Sequence, residues 1–392
     1  MDFRQEIRED DIIVFSLLYS SITVVFAMAV LSKFLTNEFR FGFRSFLSLV
    51  VLFIGEPLCQ FFVQGPGGLL VFGFGCLCIY SILPASHLPA GDKVVLVTGC
   101  DSGFGNALVK KLDSIGMKVF AGCLYSDGPG AIDLTNSCSD RMKILQLDIT
   151  KPDEVSDAVT CVSQHLGEEG LWGLVNNAGV WYFAELEMTS EKVLQKVLDV
   201  NLLGAVRVTK ACLPLIRKAK GRIVNVSSLT GRVPVEGNGA YAMSKHGLVA
   251  FSDTLRLEMR KWGVHVALIE PTGFSTGNMK DYILRSRKEE IWNSLGEATQ
   301  LTYGREYLDS TYSNIISAVP RFPKDLSPVI RSMRSALLSK RPRERYPCGM
   351  GAEIVICLYP LLPIWLGDKL SVAIGFIPKM LLPKTLRSQN RV

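Results

Sequence analysis

The hydrophobic pattern divides the chain into an apolar N-terminal stretch and a longer region of short, separated apolar runs. Residues 12–32 carry no charge, and about 20 such residues suffice to cross the hydrocarbon core of a bilayer. Two later runs, residues 46–63 with an interruption at Glu56 and Pro57, and residues 68–83, are weaker candidates. The pattern predicts one transmembrane helix and leaves open whether the other runs also span or form a re-entrant hairpin.

The charges around residues 12–32 predict a retained anchor rather than a cleaved leader. The preceding segment is net acidic, whereas signal peptides begin with basic residues and mitochondrial presequences are rich in arginine. Lys33, Arg40 and Arg44 follow the apolar stretch, which predicts that the first loop is cytoplasmic. Three spans would then leave the rest of the chain in the cytoplasm, and two spans would leave it in the lumen.

Beyond residue 92 the pattern is typical of an α/β protein, because short apolar runs alternate with stretches of helical length and spacing. The predicted strands are residues 93–98, 118–124, 143–147, 171–175, 222–226 and 264–269. The predicted helices include residues 106–115, 193–220 and 240–262. This order predicts a Rossmann-type doubly wound parallel sheet, preceded by an N-terminal transmembrane helical anchor.

Three regions are expected along the chain. Residues 1–90 form the membrane anchor with one to three apolar spans, and residues 91–348 form the catalytic domain. Residues 349–392 form an apolar C-terminal extension, in which Pro360 and Pro363 break the most hydrophobic part. That part is too short to span a bilayer, so we expect it to lie on the membrane or at the mouth of a pocket.

Residues 98–105, Thr-Gly-Cys-Asp-Ser-Gly-Phe-Gly, form a glycine-rich turn between the first predicted strand and helix of the catalytic domain. Gly99 permits a sharp exit from the strand, Gly103 lets the backbone approach a pyrophosphate, and Gly105 lets the helix pack on the sheet. The helix N-terminus would offer N–H groups and its positive dipole end to the phosphates. The turn therefore predicts a dinucleotide site.

Composition adds two restrictions to this interpretation. The chain is 48% hydrophobic and 20% charged, with a mean hydropathy of +0.24, which predicts apolar surface facing lipid or an unusually large core. Its net charge of +6 forms no basic stripe with interleaved aromatics, so nucleic acid is not an expected partner. The ten cysteines form no CxxC pair, which predicts reduced thiols and no metal site.

Tyr241 and Lys245 lie four residues apart at the start of a predicted helix and share one face of it. A tyrosine with its free pKa of about 10 is a poor base at neutral pH. A neighbouring ammonium and an oxidised nicotinamide favour the phenolate, which can take the proton of an alcohol. Ser228 ends a predicted strand and could hold the substrate oxygen while a hydride passes to the cofactor.

Residues 94–276 resemble the short-chain dehydrogenase/reductase family. The resemblance rests on the glycine-rich turn, Asn-Asn-Ala-Gly at residues 176–179, an asparagine at position 201, and the Tyr-x-x-x-Lys motif with its upstream serine. One departure is Pro271-Thr272-Gly273, where the family usually has Pro-Gly. The resemblance implies an NAD(P)-dependent alcohol dehydrogenase or ketoreductase with the catalytic residues Asn201, Ser228, Tyr241 and Lys245.

The resemblance also implies roles around the cofactor. Lys245 would bond the nicotinamide ribose, and Asn201 would hold a water that links Lys245 to solvent. Asp148 would lie near the adenine and Asn177 near the adenosine ribose. The complete set of implied cofactor-binding residues is Gly99, Asp101, Ser102, Gly103, Phe104, Gly105, Asp148, Asn177, Ala178, Gly179, Tyr241, Lys245 and Thr276.

We expect NAD rather than NADP, because no basic residue that could pair with a 2′-phosphate appears in the glycine-rich turn or after the second predicted strand. The motifs resemble a subgroup of hydroxysteroid, retinol and 3-hydroxybutyrate dehydrogenases. The expected partners are an apolar small-molecule alcohol or ketone, membrane lipid and, as one option, a second copy of the chain in a homodimer. The thiols and the dinucleotide favour an endoplasmic reticulum membrane location with the catalytic domain in the cytoplasm.

The substrate pocket is expected to be built from residues after Gly273, and residues 181–183 would either wall a flat ligand or pack in the core. Two other functions remain open. A hydroxy acid substrate would need a basic residue for its carboxylate; Lys280, Arg285 and Arg287 are candidates, although solvated charges are the favoured interpretation. A non-catalytic membrane protein could retain the fold for binding, but it would not need all four catalytic residues.

Overall fold

The computed structural model describes residues 9–36, 43–63, 65–82, 86–91, 93–375 and 381–389. The chain forms two units. The N-terminal unit comprises Met1–Leu88 with Ser339–Arg341, and the sheet unit comprises Pro89–Leu338 with Pro342–Val392. Every residue that the sequence assigns to a catalytic or cofactor-binding role lies in the sheet unit, either on its helices or in the loops that follow its strands.

The N-terminal unit contains helices α1 (Glu9–Thr36), α2 (Phe43–Val50), α3 (Glu56–Phe62) and α4 (Pro66–Ile82). Within α1, Ile13–Ser32 is long and apolar enough to cross a membrane. The stretches Phe46–Phe62 and Pro66–Ser81 are also apolar and helical but shorter. At 1.5 Å per residue such stretches extend roughly 25 Å, less than the hydrocarbon thickness of about 30 Å. Among the described residues, one helix therefore has the length of a membrane span.

The sheet unit contains seven parallel strands in the order β3-β2-β1-β4-β5-β6-β7. The strands are β1 (Val94–Thr98), β2 (Lys118–Cys123), β3 (Met142–Gln146), β4 (Gly173–Asn176), β5 (Arg222–Val226), β6 (His265–Pro271) and β7 (Arg345–Cys348). Its helices are α5 (Gly103–Ser114), α6 (Pro129–Ser137), α7 (Pro152–Gln164), α8 (Glu191–Leu198), α9 (Ala205–Ala219), α10 (Gly239–Met259), α11 (Asp281–Asn293), α12 (Glu297–Tyr303), α13 (Arg305–Ala318), α14 (Ser327–Leu338), α15 (Ala352–Leu358), α16 (Ile364–Ile374) and α17 (Lys384–Gln389). The predicted doubly wound parallel sheet is confirmed.

Alternating residues of β1 show why the sheet needs helices on both faces. Val95 and Val97 are fully buried in a cluster with α5, α6 and α14, whereas Val94 and Leu96 are buried in a second cluster with α7, α9 and α10. Successive side chains of a strand point to opposite faces, so a strand that is apolar throughout must be covered twice. The polar atoms that can do chemistry are consequently confined to the ends of the strands.

Most predicted elements are present with ends shifted by a few residues, and three differences from the prediction stand out. The fourth predicted strand begins at Gly173, two residues later than expected. The single helix expected at residues 193–220 is divided by a wide π-helical turn, Asp199–Gly204, between α8 and α9. Strand β7 was not expected, because its four residues include Arg345 and Pro347 rather than an apolar run. Proline is tolerated there because β7 is an edge strand that need not donate to a further neighbour.

Candidate active site

The carboxyl ends of β1 and β4 are joined by side-chain hydrogen bonds. The hydroxyl of Thr98 accepts from the backbone N–H groups of Asn177 and Ala178, each at 3.1 Å. The amide Nδ2 of Asn177 donates to the carbonyls of Thr98 and Gly99, both at 2.9 Å. Asn177 therefore holds the start of the glycine-rich turn, and the sequence did not identify this structural role.

Two glycines of the turn are required by close approach. A Cβ on Gly105 would lie 2.3 Å from the carbonyl oxygen of Gly99 and 2.6 Å from Asn177 Nδ2, so no larger residue fits. Gly103 has φ +62°, a backbone conformation that favours glycine. A Cβ added to Gly103 would also lie 3.3 Å from the Cβ of Thr276. Ser102, the residue before it, is the N-cap residue of α5 but makes no side-chain capping hydrogen bond. The first N–H groups of a helix have no partner within the helix.

The carboxylate of Asp101 extends from the turn to the loop after β2. It accepts hydrogen bonds from the backbone N–H groups of Leu124 at 3.0 Å and Tyr125 at 3.1 Å. Asp148, after β3, accepts from the N–H and hydroxyl of Thr150 at 2.9 and 2.7 Å. Both acids line one large cavity, and they place negative charge at its end over β2 and β3.

Asn201 lies in the π-helical turn and is buried. Its Oδ1 accepts from the N–H of Val180 at 2.8 Å, and its Nδ2 donates to the carbonyl of Val180 at 2.9 Å and to the hydroxyl of Ser244 at 3.0 Å. The wide turn places this side chain between the end of β4 and the face of α10. Such single π turns are frequent at functional sites.

Tyr241, Ser228 and Lys245 meet where β5 and α10 approach each other. The hydroxyl of Ser228 accepts from the N–H of Thr230 at 3.1 Å. The same hydroxyl is close enough to the Tyr241 phenol to act on its pKa. The ammonium of Lys245 donates to the carbonyl of Val226 at 2.9 Å and lies 5.6 Å from the centroid of the Tyr241 ring. Ser228, Tyr241 and Lys245 line one corner of the cavity together with Gly179. Asn201 lies next to this corner, because a Cβ on Gly179 would be 3.3 Å from Asn201 Oδ1 and 3.7 Å from Lys245 Nζ.

Comparison with known proteins decides the family of this arrangement. The short chain dehydrogenase family matches residues 93–286. The 17-beta-hydroxysteroid dehydrogenase type 2 of Homo sapiens is 39% identical over 338 residues, which cover 85% of this chain and 87% of the relative. The chain belongs to the short-chain dehydrogenase family. It is an oxidoreductase of this NAD(P)-dependent family.

Other relatives extend the likeness. Retinol dehydrogenase 7 of Mus musculus is 44% identical over 284 residues, covering 72% of this chain and 88% of that protein. The crystal structure of a short-chain dehydrogenase from Streptomyces avermitilis superposes with a TM-score of 0.56 at 25% identity, over 72% of this chain and 95% of its own. A short chain dehydrogenase from Burkholderia cenocepacia J2315 gives 0.55 at 18% identity, over 72% of this chain and 99% of its own, and supports the fold alone.

Burial shifts the pKa values of Tyr241 and Lys245 in this short-chain dehydrogenase. Desolvation raises the pKa of Tyr241 to about 12, although the hydrogen bond from Ser228 opposes the rise. Desolvation also lowers the pKa of Lys245 to about 8. Both shifts favour the neutral forms of the two groups. A buried phenol and a buried amine that lie close together are suited to proton transfer, because each can gain or lose a proton.

The cavity that contains this corner has a volume of about 1310 Å³ and is lined entirely by the sheet unit. One end is the glycine-rich turn, and the other is walled by segments that follow Gly273. Trp181 and Phe183 line it and also pack with the core, so both interpretations of residues 181–183 hold in part. Tyr182 instead packs in the core, where its hydroxyl donates to Glu290 at 2.6 Å.

The position of Arg287 differs from the one expected from the sequence. It was expected to be solvated or to hold a carboxylate, but it is only 9% exposed. Its guanidinium donates to the carbonyl of Trp181 at 2.7 Å and to Asn278 Oδ1 at 2.8 Å, and Asn278 Nδ2 donates to the carbonyl of Gly179 at 3.1 Å. Arg287 and Asn278 thus tie α11 to the chain after β4, a role that the sequence did not reveal.

Proposed function

We propose that this chain is an NAD-dependent dehydrogenase that oxidises an apolar secondary or lipid alcohol, such as a hydroxysteroid or a retinoid. The observation that supports this proposal most strongly is the single cavity that joins the glycine-rich turn to an aromatic, largely apolar chamber at Tyr241. The names of two relatives, a 17-beta-hydroxysteroid dehydrogenase and a retinol dehydrogenase, refer to substrates of this kind.

The residues present fit a dinucleotide. The cradle formed by Gly99, Gly103 and Gly105 has no room for a Cβ at its closest approaches, and it opens at the N-terminus of α5. Ser102, Phe104, Ala178, Gly179 and Thr276 complete this end of the cavity. When bound, the oxidised nicotinamide would supply the acceptor for the hydride of the alcohol.

Tyr241 is proposed as the acid/base. Its phenolate takes the hydroxyl proton of the alcohol during oxidation, and its phenol returns a proton in the reverse direction. Ser228 holds the substrate oxygen beside the phenol and so fixes the distance over which the proton moves. The ammonium of Lys245 stabilises the phenolate because opposite charge favours the ionised form. Asn201 keeps the Val180 backbone and α10 in register around this corner.

The preference for NAD over NADP rests on the charges near the adenosine end of the cavity. Asp101 and Asp148 lie there, and the only other charged side chain that lines this end in the described chain is Asp133, which pairs with Lys110. A 2′-phosphate needs a basic partner and would instead meet carboxylates. A lower dissociation constant for NADP than for NAD would contradict this preference.

The hydroxy acid alternative has weak support. Arg285 pairs with Asp281 at 2.7 Å on the surface, and Arg287 is occupied by Trp181 and Asn278. Lys280 is then the candidate that lines the cavity and could hold a substrate carboxylate. A purely binding role is disfavoured, because a protein that only binds would not need Asn201, Ser228, Tyr241 and Lys245 together.

Membrane association of the enzyme is supported by the apolar helix that contains Ile13–Ser32. We further propose an endoplasmic reticulum location with the sheet unit in the cytoplasm, which the ten free cysteines and the nicotinamide cofactor favour. A protease-protection assay on sealed microsomes tests this orientation: sites in the sheet unit should be cut without detergent. Protection until detergent is added would place the unit in the lumen. A homodimer stays a prediction.

The test of function is NADH formation by the full chain in proteoliposomes, with a hydroxysteroid, retinol and 3-hydroxybutyrate offered separately. We expect turnover of an apolar alcohol by the wild type and its loss in Tyr241→Phe. Tyr125→Phe is the matched control, because it removes a mostly exposed tyrosine hydroxyl from the adenosine end of the same cavity. Turnover of the hydroxy acid alone would contradict the proposed substrate class.

A further inference from the structure

Residues 349–375, the C-terminal cap segment, are rich in apolar residues and poor in charged ones. The segment contains α15, a tight turn at Tyr359–Leu361, and α16. Its only charged residues are Glu353, Asp368 and Lys369. Its apolar stretch Ala352–Leu361 is too short to cross a bilayer.

Several large apolar side chains of the cap segment are exposed. Met350 is 98% exposed, Ile364 84%, Leu361 77%, Trp365 61% and Ile354 57%. Large apolar side chains that are exposed together within one short segment favour a site that contacts a partner or a membrane. The tips of two short helices and the turn between them all contribute to it.

The inner side of the same segment closes the cavity of the active site. Ala352 is buried, and Val355, Ala373 and Ile374 line the cavity with it. Met350 both lines the cavity and is almost fully exposed, so it stands at the mouth. The exposed apolar surface therefore reaches the edge of the opening through which a ligand must pass.

We propose that the cap segment lies in the interfacial layer of a lipid bilayer and opens the cavity towards the acyl chains, so that an apolar alcohol enters from the membrane. The sheet unit begins at Pro89, directly after the unit that carries the candidate span, so the chain tethers it beside a membrane. Lys369 lies 5.3 Å from the Trp365 ring centroid. An aromatic ring paired with a cation suits the boundary between acyl chains and phosphates. The lipid contact stands by itself, whereas the access route rests on the proposed function.

The lipid contact is tested by fluorescence quenching with brominated phospholipids in proteoliposomes of the full chain. We expect quenching that Trp365→Phe largely removes, with bromines near the carboxyl end of the acyl chain more effective than those near its methyl end, since interfacial helices bury their apolar face only about 5–10 Å deep. Trp262→Phe is the control; this residue is 44% exposed, stacks on Arg217 and lies outside the cap segment.

Quenching that is unaffected by Trp365→Phe would overturn the lipid contact and would favour a protein partner for this surface. The measurement needs no turnover, so it is independent of the proposed function.

The access route is tested by Ile364→Asp with Leu257→Asp as the control, because Leu257 is also an exposed aliphatic side chain but lies on α10, outside the cap segment. We expect Ile364→Asp to raise the KM for an apolar alcohol delivered in vesicles by about tenfold. A charged side chain is unfavourable among acyl chains, so the cap segment would withdraw from the bilayer. The KM for NAD and the turnover of a short water-soluble alcohol should not change. An unchanged KM in vesicles would overturn the route even if the enzyme turns over as proposed.

Discussion

The two ends of the active-site cavity are built by different physical means. At the cofactor end, short segments at the ends of neighbouring strands are joined by side chain to backbone hydrogen bonds, as Thr98, Asn177 and Asn201 show. At the substrate end, segments far apart in sequence pack by apolar contact, and Arg287 and Asn278 supply polar ties between them. The contrast suggests that chemistry depends on the strand ends, and that substrate choice depends on the packing of the later segments.

The largest loss of activity should come from Lys245→Met, which changes the corner of the cavity that contains Tyr241 and Ser228. Loss of the ammonium removes the charge that stabilises the Tyr241 phenolate, so kcat/KM for alcohol oxidation should fall about 1000-fold, within the range of acid/base catalysis. Steady-state NADH formation measures the loss, and thermal melting shows whether the fold persists. A variant that melts near the wild type and keeps more than a tenth of the activity would remove Lys245 from the mechanism.

Gly105→Ala should damage the cofactor end alone. The added methyl would lie 2.3 Å from the carbonyl oxygen of Gly99, and overpacking of this kind costs about 1–3 kcal/mol, or up to about 100-fold in NAD affinity. Calorimetry of NAD binding measures the change. Gly296→Ala is the control, because a Cβ there has open space and the backbone φ is −70°. Equal effects from both substitutions would show that the tight turn does not determine affinity.

The pH profile should follow the Tyr241 phenol. Because burial raises its pKa to about 12 in the chain alone, the phenol stays protonated near neutral pH and the phenolate needed for oxidation becomes more common as pH rises. We expect kcat/KM for oxidation to increase by up to about tenfold per pH unit from pH 6 until the operating pKa is reached, and kcat/KM for ketone reduction not to increase. An oxidation rate that falls over this range would contradict the assignment of Tyr241 as base.

Arg287→Met should damage the substrate end. It leaves the carbonyls of Trp181 and Asn278 without their donor, at a cost of about 1–3 kcal/mol in stability. The KM for the alcohol should rise about tenfold while the dissociation constant of NAD changes little. Arg285→Met on the same helix is the control, since its ion pair with Asp281 is exposed. If NAD affinity fell more than the alcohol KM rose, the division between the two ends would fail.

The smallest effect is expected for Asp101→Asn at the adenosine end. Neutralising the carboxylate lowers the repulsion of a 2′-phosphate by about 1 kcal/mol, so the ratio of NAD to NADP affinity should shift about fivefold towards NADP. Asp127→Asn removes a similar charge from a residue that does not line the cavity. A ratio that moves equally in both variants would point to net charge rather than to the contact that Asp101 makes.

The sequence predicted the cofactor end much better than the substrate end, for a local reason. Strand β5 begins and ends where the apolar run predicts, and Tyr241 and Lys245 share a face of α10 as their spacing requires. The partner of Arg287, the carbonyl of Trp181, is 106 residues away. No pattern in a run of charged residues shows that one of them will be buried against such a distant carbonyl.

The π-helical turn and β7 were missed for related reasons. Asp199–Gly204 has no sequence signal that distinguishes a wide turn from a regular helix. The wide turn places Asn201 against the Val180 backbone, a contact that only the fold creates. Strand β7 pairs with β6 although its own residues carry no strand pattern, so its position depends on the edge that β6 offers. Both features depend on neighbours in space rather than on neighbours in sequence.

The most direct test of the account follows the hydride itself. The full chain in proteoliposomes is given NAD and a lipid-soluble secondary alcohol deuterated at its carbinol carbon, and the reduced cofactor is examined by mass spectrometry. We predict deuterium in the NADH formed by the wild type and none above background with Tyr241→Phe. Equal transfer by both proteins, or transfer only from a water-soluble hydroxy acid, would contradict the claim that Tyr241 serves an apolar alcohol in this cavity.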